Sequence, residues 1–190
     1  RTARGEYLLL LEPDVELHPA DVLVLQTWLD ENPQLVAVSP LLVDPEGNVA
    51  TRAGPLPDPL ELYRAWVQGA DWFDCLPRFS VPAGAEALVP VPCASPRAVL
   101  VRSWFVRGVN YFDERYGEWG SELELFTQIQ RARKQFAIVP GYQATCRLGA
   151  GMWRASSPAA RALLAADQAS GILRWTAKYF GPVASLKLRL

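Results

Sequence analysis

Tyr7 to Leu11 is an unbroken apolar run set between Glu6 and the abrupt Glu12-Pro13-Asp14. A short run without alternation predicts a strand buried on both faces of a sheet. Pro19 then stands where a helix begins, and Val22, Leu25, Trp28 and Leu29 recur at helical spacing until Asn32-Pro33 stops them. Residues 35–38 predict a second buried strand, with the apolar stretch 41–43 behind it. Asp44-Pro45-Glu46-Gly47 has proline second and glycine fourth, the composition of a β-turn that closes a hairpin. Strand, helix, strand and hairpin in that order predict an α/β layer architecture.

Residues 51–84 are rich in proline and aromatics and predict a long surface excursion, with a short amphipathic helix over 60–67. Loops of that length are commonly functional or mobile. Tyr63, Trp66, Trp72 and Phe73 there either shape an acceptor groove or pack beneath the loop. Short strands are expected at 87–91 and 98–101, on either side of Cys93-Ala94-Ser95-Pro96-Arg97. A helical turn at 103–107 and a further turn at 112–115 precede a helix over 121–133, with Leu125, Ile129 and Ala132 inward. Ser121 followed by Glu124 fits a capping box at its start. Strands follow at 136–139 and 144–147, and Ser157-Pro158 opens a final helix over 158–180 that Gly181-Pro182 ends. No internal repeat is present.

Composition narrows the classes. With 50% hydrophobic and 21% charged residues over 190 positions, the chain has the material for one domain with a real core and is not a disordered segment. A formal charge of −1 argues against a dedicated nucleic-acid binder, which needs a basic field. The longest aliphatic run, Leu8 to Leu11, is far too short to span a bilayer, and no basic-then-apolar signal segment opens the chain. Arg4-Gly5-Glu6 leads straight into the first strand, as in a chain entered mid-fold. Cys75, Cys93 and Cys146 have no metal spacing and are expected to be reduced, buried thiols. His18 is the single histidine, which excludes a multi-histidine zinc site.

The chemistry gathers after the first strand. Glu12 and Asp14, two positions apart just past the strand end, suit a hard divalent ion that bridges phosphates. A solvated acidic turn ahead of the next helix is the plainer alternative. The run from Gly5 through Leu11 into Glu12-Pro13-Asp14-Val15-Glu16-Leu17 resembles the acidic-motif strand of family 2 glycosyltransferases of the GT-A fold. Val36-Ala37-Val38-Ser39-Pro40, Leu42-Val43-Asp44-Pro45-Glu46-Gly47-Asn48, Phe112-Asp113-Glu114-Arg115-Tyr116, Glu122-Leu123-Glu124-Leu125 and Val139-Pro140 continue that likeness in the same order. It covers about Gly5 to Pro140, weakly through the excursion. The resemblance implies a single domain over 1–190, a three-layer α/β architecture with a GT-A-like mixed sheet flanked by helices, lacking the N-terminal strands that hold the nucleotide.

In that family the last carboxylate of the acidic motif contacts Mg²⁺ or Mn²⁺ at the sugar-nucleotide diphosphate, a role that would fall on Asp14. Glu12 would reach the ribose or a metal-bound water. The family's Glu-Asp pair, whose aspartate is the catalytic base, reads Ser121-Glu122 here, so Glu122 would deprotonate the acceptor hydroxyl. A first-turn glutamate favoured by the helix dipole is the other reading of that residue. Trp119 would stack on an acceptor sugar or lie over the core. Departures are visible too. Ser95-Pro96-Arg97 replaces a glycine-rich stretch, leaving Arg97 as a phosphate contact or a surface charge. Near Cys146 the family often has a metal-binding histidine, and Arg147 would bring a substitute cation to the diphosphate. Gly149 to Arg154 reads as a mobile lid or as a helix linker.

The resemblance therefore implies inverting, metal-assisted transfer of a hexosyl or deoxyhexosyl unit from a nucleotide-sugar to a saccharide or lipid-linked acceptor. The alternative is a degenerate module that binds glycan or a protein partner without turnover. A nucleotide-binding regulatory domain is the weaker third, because no phosphate-cradling glycine loop is present. The expected location is cytoplasmic, with peripheral contact at the inner face of the membrane left open. The tail from Leu186 to Leu190 reads best as a linker, with a strand and membrane-surface contact as its alternatives.

Overall fold

A computed structural model describes residues 3–83, 87–110, 112–116, 120–147 and 157–188. Along the chain run β1 (Tyr7–Leu11), β2 (Val15–Glu16), α1 (Pro19–Glu31), β3 (Leu35–Val43), β4 (Ala53–Gly54), α2 (Pro59–Val67), β5 (Val89–Val91), β6 (Cys93–Ala94) and β7 (Ala98–Arg102). There follow α3 (Ser103–Gly108), α4 (Ser121–Arg131), β8 (Gln135–Cys146), α5 (Pro158–Phe180) and α6 (Pro182–Lys187), with 3-10 turns at Trp72–Cys75 and Glu114–Tyr116. The architecture is α/β, a mixed six-stranded sheet in the order β1-β7-β3-β8-β2, with β5 also on β8. β3 and β8 are parallel, and β7 lies antiparallel between β3 and β1. β1, β3 and β8 therefore run in one direction and finish at one lip of the sheet.

Helices cover both faces. Alternate side chains of the strands point to opposite sides, so Leu100, Ala137 and Val139 meet Leu25 and Leu29 of α1 on one face. Val99, Val101, Phe136 and Ile138 meet Phe126 and Ile129 of α4 and Trp175 of α5 on the other. Burying each large side chain of this kind stabilises by roughly 1.5–3 kcal/mol. Local chemistry sets the helix starts. His18 caps α1, its Nδ1 accepting the Ala20 N–H at 3.2 Å, which gives the single histidine a structural post. Asp58 and Glu61 form a reciprocal capping box on α2, and the Ser157 hydroxyl accepts the Ala160 N–H on α5.

Several expectations are corrected. β1 has the expected bounds, yet it lies at the sheet edge and is only half-buried, with Leu11 44% exposed; a continuous apolar run does not distinguish an edge from a centre. The segments 35–38 and 41–43 are one wholly buried strand, β3, through Pro40. The two late strands are likewise one, β8, whose pairing with β3 shifts register between Leu35 and Ala37 and again between Pro40 and Leu41. α4 is not capped by Ser121: Gly120, at φ +100°, precedes it with no side-chain cap. Ala132 is exposed beyond the helix end. The 51–84 segment is no surface excursion, since Trp72, Phe73, Leu76 and Leu62 are all core residues. Arg52 pins it by donating from Nη1 to the carbonyls of Asp74 and Leu76. Leu186 and Lys187, where the linker was expected to begin, close the short helix α6, whose Ser185 hydroxyl donates to the Leu173 carbonyl; residues 189–190 lie outside the described residues. All three cysteines are free, but Cys75 is exposed. No helix among the described residues is long and apolar enough to cross a membrane.

Glu124, expected as part of the cap, is instead the buried hub between α4 and α5. Its Oε1 accepts from Gln128 Nε2 at 2.9 Å, Lys178 Nζ at 2.7 Å and the Tyr179 hydroxyl at 2.5 Å. Its Oε2 accepts the Tyr116 hydroxyl at 2.8 Å.

Candidate functional site

The lip where β1 ends and β7 begins is stitched by its backbone. The Glu12 N–H donates to the Arg97 carbonyl at 2.9 Å, and the Arg147 N–H, just past β8, donates to the Asp14 carbonyl at 3.1 Å. Residues far apart in sequence are thereby fixed side by side. Arg97 sits immediately before β7, behind Pro96, and its guanidinium spans both acidic side chains. Nε donates to Glu12 Oε2 and Nη2 to Asp14 Oδ2, each at 2.7 Å, while Nη1 points at Cys146 Sγ at 3.2 Å. The Arg97 side chain is 13% exposed and Asp14 18%. Burial opposes the charge on Arg97, but Glu12, Cys146 and Asp14 together outweigh it and hold the guanidinium above its ordinary pKa. Arg97 is therefore no surface charge: it is largely buried and paired with both carboxylates.

Glu122 comes to the same lip from the first turn of α4. With Leu10, Leu11, Glu12, Pro96 and Phe112 it lines a cavity of about 280 Å³. Glu12 and Glu122 thus share one hollow, whereas Asp14, the carboxylate expected to act with Glu122, is not among its lining residues and is held by Arg97 instead. Glu122 Oε2 is sealed from solvent and has no hydrogen-bond partner among the described residues. Burial pushes the carboxyl above its ordinary pKa, with the Glu12 charge adding to it; the N–H groups of Glu122 and Gly120 and the Ser121 hydroxyl oppose the rise only in part.

A further carboxyl was missed from the sequence. Asp71, in the packed 51–84 segment, has Oδ1 buried with no hydrogen-bond partner among the described residues. Burial, then the charges of Asp74 and Glu12, raise its pKa to about 7, and Arg97 and Glu122 also act on it. No motif marks Asp71 in the sequence. The only available signal was the density of aromatics around it, which could have been read as packing.

Other expected residues fall outside this arrangement. Arg147 is turned to Glu16, pairing Nη2 with Oε1 in a contact exposed on both sides. Trp119 and the 149–154 loop lie outside the described residues. A larger hollow, about 640 Å³, opens at the opposite end of the strands between Pro55, Pro90, Lys134 and Phe136, with no carboxylate among its described lining residues.

The site was tested for the Mg²⁺ or Mn²⁺ that the resemblance implies. Such ions need a shell of oxygen ligands. Among the described residues no group of three His, Cys, Asp or Glu side chains is placed to hold a metal ion. Both carboxylates expected to serve are bonded to one guanidinium. As arranged, these residues do not fit a divalent ion.

Comparison with known proteins brings no relative to this geometry: no protein-family model matches the chain, and no curated protein matches it.

Proposed function

We propose that this chain is a glycosyltransferase-like domain of the GT-A fold, moving a sugar with inversion from a nucleotide-sugar to a saccharide or lipid-linked acceptor. The observation that carries the reading is the shared cavity of Glu12 and Glu122, in which Glu122 keeps a sealed, unpartnered carboxyl oxygen. An acid with a raised pKa in a cleft suits a general base working near neutral pH. The acceptor hydroxyl would donate its hydrogen bond to the Glu122 carboxylate from the cavity. As the hydroxyl oxygen attacks the anomeric carbon, its proton passes to that carboxylate and the nucleoside diphosphate departs from the opposite face. The lip cations Arg97 and Arg147 would face the developing negative charge. The mixed sheet, with its acidic lip at the end of β1, is compatible with this reading.

A second reading, a module that binds glycan or a protein partner without turnover, is favoured by the pairing of Arg97 with both acidic residues. One assay separates them. The full-length protein, given a panel of nucleotide-sugars and acceptors, is expected to release nucleoside diphosphate, and Asp14→Ala to stop the release. Absence of release from every donor, together with glycan binding by titration calorimetry, overturns the transferase and leaves the binding module.

A further inference from the structure

We propose that Arg97 is the resident cation of the acidic lip: it holds Glu12 and Asp14 in the place a divalent metal would take, and it presents guanidinium N–H groups, not a metal, to an oxyanion. Three observations support this. The first is placement. The Arg97 carbonyl is tied to the Glu12 N–H, Ala98 pairs with Leu11 in the sheet, and Pro96 stiffens the approach, so the side chain departs from a fixed point. It is 13% exposed and so is no freely moving surface group.

The second is geometry. Two charge-assisted bonds at 2.7 Å leave from different nitrogens of one planar group to two different carboxylates. A metal would have to enter against that fixed positive charge and compete for the same oxygens. The third is the donor count. Arginine has five N–H groups. One on Nε and one on Nη2 serve the carboxylates and one on Nη1 serves the Cys146 thiol, which leaves one on each terminal nitrogen for a ligand.

Glu12, Asp14 and Arg97 together still carry one net negative charge, so an anion needs a second cation. Arg147 sits at the same lip, joined to Asp14 through the backbone, and among the described residues its side chain is engaged in an exposed pair with Glu16. Exposed pairs of that kind are weak, so Arg147 can be recruited by a bound diphosphate. This oxyanion role rests on the transferase reading; the exclusion of metal does not.

The test uses Mn²⁺ alone, followed by loss of its free paramagnetic resonance signal, on the full-length protein. Wild type and Arg97→Lys are expected to leave Mn²⁺ free at about 1 mM, whereas Arg97→Gln takes up one ion at least about 10-fold more tightly than wild type, and Arg97→Gln with Asp14→Asn loses it. Mn²⁺ uptake by wild type that Asp14→Asn abolishes overturns the proposal, as does a folded Arg97→Gln with no uptake. If Arg97→Gln fails to fold, wild type and Arg97→Lys decide the matter. Inorganic pyrophosphate supplies the second arm: it is expected to bind equally with chelator and with Mg²⁺, and about 10-fold more weakly to Arg97→Lys, which keeps the charge but loses the fork. Pyrophosphate binding only with Mg²⁺ overturns the inference and spares the transferase. No binding under either condition counts against the oxyanion role and the transferase together.

Discussion

Glu122 and Glu124 are the same residue type, two positions apart in the first turn of α4, and they live in opposite conditions. A step of two residues turns a helix by about 200°, so one carboxyl faces the lip cavity and the other the α5 interface. Glu124 accepts four hydrogen bonds. Burial works against its charge, yet Gln128, Lys178, Tyr179 and Tyr116 hold its carboxyl below the ordinary pKa. Glu122 has an oxygen with no partner and a carboxyl held above it. The helix dipole favours negative charge at both positions and so does not separate them. What separates them is satisfaction. A buried carboxylate with both oxygens bonded is a clamp, whereas one left wanting, with an unpartnered oxygen, is suited to take a proton from something that enters.

The contrast breaks first under substitution of the two residues themselves. In the full-length protein, Glu122→Gln should lower sugar transfer by about 10²- to 10⁴-fold with the melting temperature unchanged. Full activity in that variant defeats the base assignment. A parallel loss of stability would instead class Glu122 with Glu124. Glu124→Ala should do the reverse and lower unfolding free energy by about 2–4 kcal/mol, because two tyrosines and an amide lose a buried acceptor. Turnover per folded molecule should hold. Because Glu124 is more acidic folded than unfolded, its contribution is present above the unfolded value and is lost as pH falls through the folded one. Denaturant unfolding at pH 7 and pH 3 should therefore show the variant's deficit shrinking in acid.

How far the sequence revealed this division depends on the range of the interactions. The bounds of β1, the start of α1 at Pro19, the turn at Asp44-Pro45-Glu46-Gly47 and the opening of α5 at Ser157-Pro158 rest on local spacing and capping, and they were legible. The edge position of β1 was not, since periodicity reports apolarity and not what covers it. Trp72 and Phe73 pack beneath their segment, one of the two readings of those aromatics, but with no regular period in it nothing marked the segment, Leu76 included, as part of the main core. Arg97 reaches carboxylates 85 and 83 residues away through strand register, which no spacing in the chain encodes. The order of the resembling motifs pointed to Asp14 as the partner of Glu122, but it is Glu12 that shares the cavity. Their different neighbours, and so their different chemistry, come from packing.

Asp71 sharpens the comparison because it is a third carboxyl on the wanting side, and its effect should be the smallest. The folded protein holds its proton up to about pH 7, while an unfolded aspartate releases it near pH 4. Between those values the folded state binds more protons than the unfolded one, so this residue makes stability fall as pH rises through the window. The slope is opposite in sign to that from Glu124 and lies at higher pH. Asp71→Asn removes the ionisation while keeping the shape. The variant should match wild type near pH 4 and exceed it at pH 8 by about 1–3 kcal/mol, after discounting for partial exposure. Unfolding curves taken across that range measure the difference directly. If the two proteins keep a constant gap at every pH, Asp71 is ionised and satisfied like Glu124, and the unpartnered carboxyls of the lip reduce to Glu122 alone.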